Sequence, residues 1–198
     1  AALTVVCEGR ASRTRAELGV DFEITPYPQH AIATRLHCER PHGQVARQWF
    51  NERGEILALL PLGGPAGNSV AVVWSVLQER VPELMALAPE EVAMQLETAS
   101  QLSLGALRPI AERAAWPLQL ARATRWVGRT PEGQGWALAG DAAHAVHPLA
   151  GQGLNLGLGD AAALAEVLHG REPWRSVGDL KLLRRYERAR QAEVRSMG

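Results

Sequence analysis

Two spacings of apolar residues take turns along this chain. Short apolar or β-branched runs predict strands at residues 3–7 (LTVVC), 31–38, 45–50, 56–60 and 69–74, the last rich in valine. Pro41-His42-Gly43 and Asn51-Glu52-Arg53-Gly54 are turn sequences between them. Strands this close together predict an antiparallel sheet across residues 27–76. The spacing then lengthens. Residues 82–100 read as helical, with Pro89-Glu90-Glu91 as a helix start. Residues 114–127 read as extended, with Trp116, Leu118, Leu120 and Ala123 facing inward. Residues 136–139 (WALA) predict a further strand and 154–168 a helix. Residues 178–197 predict a last helix, in which Leu180, Leu183, Tyr186 and Val194 form an apolar face and Arg184, Arg185, Arg188 and Arg190 a solvated one.

The run at 140–160, GDAAHAVHPLAGQGLNLGLGD, joins the strand at 136–139 to the helix from Leu154. Strand, Gly-rich loop, helix is an arrangement that holds an anionic or electron-rich ligand. Gly151 and Gly153 let a flat ligand approach bare backbone. The helix start offers unpaired N–H groups and the positive end of its dipole. Asp141, at the strand end, suits a sugar or polyol hydroxyl.

The order of these residues resembles the second flavin-binding motif of the class A flavoprotein monooxygenases: Gly140-Asp141-Ala142-Ala143-His144, then Pro148, Gly151, Gln152 and Gly153, then Asn155, Gly157 and Asp160. The stretch from His147 to Asp160 is similar to the ubiquinone-biosynthesis (UbiH-type) branch. Near the start, Glu8-Gly9, Ser12 and Arg15 resemble the family's D-G-x-x-S-x-x-R motif, with Glu8 in place of the usual Asp. The family's opening GxGxxG cluster is absent, which predicts a C-terminal portion of a longer enzyme.

The resemblance implies FAD as cofactor and NAD(P)H as electron donor. It implies hydroxylation of an aromatic ring, a polyprenyl phenol or quinol, through a C4a-hydroperoxyflavin. Cofactor contacts would come from Gly140, Asp141, Pro148, Ala150, Gly151, Gln152, Gly153, Leu154 and Asn155, and from Glu8, Gly9 and Arg15 at the nicotinamide side. Asp141 would take a ribityl hydroxyl. Pro148 would lie beside the ring where oxygen reacts. His147 is a candidate general base on a substrate phenol; for both His144 and His147 the other reading is a hydrogen bond that fixes the loop. Trp49 and Trp74 would line the substrate pocket, or belong to the core.

Bulk properties narrow the classes. The chain has 198 residues, 46% of them hydrophobic and 21% charged, with a formal net charge of zero. That composition supports a packed core and removes the electrostatic case for nucleic-acid binding. Cys7 and Cys38 form no CxxC and no disulfide framework, so a reducing cytoplasm is the default location. No segment reaches the ~20 apolar residues of a membrane span. A lipid-tailed substrate would imply peripheral contact at the inner membrane. His144 and His147 lack further ligands for a metal, and no GxSxG elbow supports a serine nucleophile. Lys181 is the single lysine and lies in the last helix, which argues against a halogenase.

The expected fold is α/β (α+β). Residues 1–25 and 105–198 would form a partial FAD-binding domain, and 26–104 an inserted, mostly antiparallel substrate sheet. Such a piece would carry exposed apolar surface or form a homo-oligomer. A non-catalytic substrate-binding or assembly fragment is the alternative, as is another flavin-dependent oxidoreductase of the same superfamily.

Overall fold

The computed structural model describes residues 1–146 and 152–196. The chain forms two compact units, one of residues 1–26 and 119–198, the other of residues 27–118.

In the first unit, β1 (Leu3–Val6) runs parallel to β9 (Gly135–Leu138), with Val6 opposite Leu138. β8 (Val127–Arg129) pairs antiparallel on the other side of β9. β9 is the central strand, and all four of its residues are buried. Among the described residues β1 pairs on one side only; the run at 3–7 reads as a buried strand in sequence, but of it only Val6 is fully buried, and Val5 and Cys7 are exposed. β7 (Ala114–Ala123) pairs with the two-residue β10 (His144–Ala145). The helices α4 (Gln152–His169) and α5 (Leu180–Ser196) pack on each other, and a short α1 (Arg13–Glu17) follows β1. Leu156, Leu164, Leu183, Tyr186 and Val194 join Trp126, Trp136 and Leu138 in one core.

The second unit is an antiparallel sheet. β5 (Ser69–Leu77) pairs with β2 (Phe22–Cys38) and with β4 (Ile56–Pro61), β3 (Arg47–Phe50) pairs with β4, and β6 (Leu107–Pro109) pairs with the end of β2. Ile32, Trp74, Leu57 and Trp49 are successive register partners, so their side chains share one face. That face is covered by α2 (Val81–Ala86) and α3 (Pro89–Ala99), through Leu84, Val92, Ala93 and Leu96. The expected single helix is thus two. The break falls at Leu87–Ala88 because a residue before proline is driven out of the helical region, and both Leu87 and Ala88 are extended. Glu91 takes the Ala88 N–H at 2.8 Å and closes the first turn of α3.

Two expectations about facing need correction. Trp116 is exposed and Leu120 only half-buried; inward positions in β7 are Leu118, Ala121 and Ala123. Arg190 is not solvated. It is 3% exposed, for a reason that lies in the site.

Candidate functional site

Parallel pairing of β1 and β9 brings their carboxyl ends together, and each end opens into one of the sequence motifs. In open α/β sheets this is where ligands bind. The Ala139 N–H donates to Val6 at 3.0 Å, and the chain then turns through Gly140–Ala142. Gly140 has φ +59°, a left-handed backbone that favours glycine. Its N–H donates to Asp160 Oδ2 at 2.7 Å.

Asp160 is the hub. Its carboxylate is fully buried. His144 Nε2 lies 2.7 Å from Oδ2, and since an ionised carboxylate only accepts, Nε2 carries the proton. The imidazole stacks on Trp126 with centroids 4.9 Å apart. Arg190 Nε donates to Oδ1 at 2.8 Å, and its Nη2 donates to the Leu156 carbonyl at 3.1 Å. A second ion pair joins Arg190 to Glu193. Gly159 makes room for this guanidinium: a Cβ there would stand 2.9 Å from Nη2. Gly157 faces the Gly140 turn, where a Cβ would meet the Gly140 Cα at 3.6 Å, an ordinary contact. Of the two glycines in the G-L-G-D end of the motif, Gly159 is the one that packing around the buried ion pair requires.

Burial alone would push the Asp160 carboxyl up. The hydrogen bonds from His144 and Arg190, the neighbouring imidazole charge and the Gly140 N–H outweigh it and hold the group below its ordinary value. A depressed carboxylate contributes stability that is fully present above the unfolded value, about 3.9, and is lost as pH falls through the folded one. In urea unfolding, the stability gap between the native chain and Asp160→Asn is expected to be present at about pH 5 and to shrink below about pH 4. A gap that persists unchanged in acid would disprove this account.

The first motif folds onto the second. Arg15 is buried, with Nη1 donating to the Ala142 carbonyl at 3.0 Å, Nη2 to the Arg10 carbonyl at 2.7 Å, and its guanidinium 3.7 Å over the Phe22 ring. Glu8 accepts from Ser12 Oγ at 2.8 Å, Thr14 Oγ1 at 2.7 Å and the Thr14 N–H at 3.0 Å. Those bonds from Thr14 and Ser12 hold its carboxyl below the usual range. The extra methylene of Glu8 is thus taken up by closing the loop over the start of α1, where Ser12 Oγ accepts the Arg15 N–H.

Asp141 sits between these fixed points. It is exposed and makes no hydrogen bond or ion pair among the described residues. In the first turn of α4, Gln152 and Gly153 are half-buried, and Leu154 and Asn155 are exposed. His147, Pro148, Ala150 and Gly151 lie outside the described residues. Trp74 is 4% exposed and Trp49 packs against the same core. The sequence reading missed Arg190 and the joining role of Asp160. A signal was present: Leu182, Tyr186, Arg190 and Val194 follow one another at steps of four, the spacing of a buried stripe.

The profile of the FAD-binding domain family matches residues 1–197. The chain belongs to that family. Among relatives of this FAD-binding domain, the ubiquinone hydroxylase UbiL of Rhodospirillum rubrum is 39% identical over 168 residues, covering 85% of this chain and 37% of that protein. The 3-demethoxyubiquinol 3-hydroxylase of Escherichia coli is 31% identical, covering 98% and 47%. Among solved structures, PqsL of Pseudomonas aeruginosa, a probable FAD-dependent monooxygenase, superposes with a TM-score of 0.73 at 25% identity, over 95% of this chain and 51% of that one. The chain therefore spans between about a third and a half of the length of the relatives it matches.

The residues present fit a flavin nucleotide. An exposed carboxylate at a strand end, held by a buried network beneath it, offers an acceptor for polyol hydroxyls. The α4 start offers backbone donors for an electron-rich ring edge.

Proposed function

We propose that these residues are part of an FAD-dependent monooxygenase that hydroxylates an aromatic ring, with a polyprenyl phenol or quinol as substrate. The observation that carries the reading is the junction of the two motif loops at the ends of β1 and β9, with Asp141 exposed above the buried Asp160 network. When bound, FAD supplies the redox chemistry that delivers one atom of dioxygen to an electron-rich ring.

The chain's own part is binding and orientation. Asp141 accepts a ribityl hydroxyl. The α4 start, from Gln152 to Asn155, would offer N–H groups to the ring edge where negative charge gathers, a task the motif shares with Ala150 and Gly151. By the motif's order, Pro148 would meet the flavin ring and His147 would take the phenol proton. Arg15 keeps the Glu8–Gly9 loop in register with the Gly140 turn, and that loop meets the NAD(P)H donor.

The second unit takes the substrate. Trp74 lines a pocket of about 570 Å³ with Asn51, Arg80, Met94 and Gln95, and Trp49 backs the same face. Among the described residues no helix is long and apolar enough to cross a membrane. A lipid-tailed substrate implies contact with a membrane surface, and the exposed Leu158 on α4 is apolar surface of the kind a second copy of the chain would cover.

FAD retention through gel filtration tests the reading, on this chain and on a polypeptide of its relatives' length that contains it. Flavin held by the longer polypeptide supports it. A longer polypeptide that folds and holds no flavin overturns it.

A further inference from the structure

Helix α3 separates two cavities in the second unit. Glu91, Met94, Gln95 and Thr98 face the pocket beside Trp74. Pro89, Val92, Ala93 and Leu96 face another, of about 270 Å³, bounded across from α3 by Leu36 on β2 and Pro109 on β6. Met85 adds to walls that are mostly apolar.

One group in this second cavity is out of keeping with such walls. Arg113 lines it. Its Nη2 donates to the Leu87 carbonyl at 2.6 Å. Its Nη1 is buried and meets no acceptor among the described residues, and no carboxylate pairs with it there. Thr34, the other polar wall residue, already donates Oγ1–H to the Ala111 carbonyl at 2.9 Å. Glu112, the remaining charged lining residue, is exposed, so water solvates its charge.

A buried guanidinium N–H without an acceptor is costly, and a charged oxygen is the partner that answers it best. The rest of the cavity asks for hydrocarbon. At the ~30 Å³ a water occupies in the liquid, the space admits on the order of ten non-hydrogen atoms. We propose that this cavity binds a small monocarboxylate with a hydrocarbon body, its carboxylate on Arg113 Nη1 and its chain along Leu36, Val92, Ala93 and Leu96. Every lining residue belongs to the second unit, so the site stands or falls apart from the flavin reading.

Calorimetric titration of the whole chain with octanoate, beside 1-octanol as the same body without the charge, tests this. Octanoate is expected to bind one to one, and octanol at least tenfold more weakly. Arg113→Met, which keeps the stem and removes the donor, is expected to weaken octanoate tenfold or more and to leave octanol unchanged. Ala93→Phe, which fills the cavity, is expected to abolish both. If Ala93→Phe fails to fold by circular dichroism, the Arg113→Met comparison decides alone. No octanoate binding at millimolar concentration, equal affinity for octanol, or indifference to Arg113→Met would each overturn the proposal.

Discussion

Replacing Asp160 by Asn is expected to cost this chain about 3–5 kcal/mol of folding stability at neutral pH. The substitution keeps the shape and retains an acceptor for the Gly140 N–H. It removes the charge that faces Arg190. The guanidinium is buried between α4 and α5 and donates to the Leu156 carbonyl. Breaking a buried pair from one side leaves an uncompensated charge, which costs more than the pair contributes when whole. For a chain of this length the loss corresponds to a melting temperature lower by roughly 10 °C. Removing both charges separates the two effects. Asp160→Asn with Arg190→Met is expected to be markedly more stable than Asp160→Asn alone, because no charge is then stranded. Equilibrium unfolding of the four proteins in the cycle decides it. A single-variant loss under about 1 kcal/mol, or a double variant no better than the single, would show that the network is not what holds α4 and α5 to the Gly140 turn.

That network also shows what a sequence reveals and what it withholds. The strands at 56–60 and 69–74 were readable as short apolar runs and the helix from Leu154 by its helical spacing, and the structure has β4, β5 and α4 at those places. The motif from Gly140 to Asp160 was readable as a flavin signature, but the division of labour inside it was not. Asp141 and Asp160 are the same residue type in one motif, yet one faces solvent and the other has no exposure. Only the fold of α4 back onto the Gly140 turn separates them.

Arg190 was misplaced for a related reason. Among four arginines in one helix it looks like a surface residue by type, while its position in the Tyr186–Val194 stripe marks it as interior. Type won over position in the reading, and the partner that reverses the choice lies thirty residues away in sequence. The break between α2 and α3 is the opposite case: Pro89 signalled it, and a continuous helix was still expected across it. The one-sided pairing of β1 among the described residues was not legible, because pairing partners are set by topology and a run of β-branched residues reads the same at an edge as in the middle of a sheet.

Asp141→Ala separates the two aspartates by experiment. In the longer polypeptide, FAD affinity is expected to fall by about 10- to 100-fold, the worth of one hydrogen bond to a charged acceptor. Stability without flavin is expected to stay within about 0.5 kcal/mol of the parent, as for other exposed positions with no partner to lose. Asp160→Asn is expected to do the reverse in kind, lowering apo stability first and flavin affinity as a consequence. The two results must be read together, since a variant that unfolds also releases its cofactor. Flavin fluorescence titration gives the affinity, and urea unfolding of the flavin-free protein gives the stability. Should Asp141→Ala leave FAD affinity unchanged, the polyol hydroxyl is held elsewhere, and the exposed carboxylate at the end of β9 has no part in binding the cofactor. Should it instead lower apo stability by several kcal/mol, Asp141 belongs to the framework beside Asp160, and the separation of a binding carboxylate from a structural one within this motif is wrong.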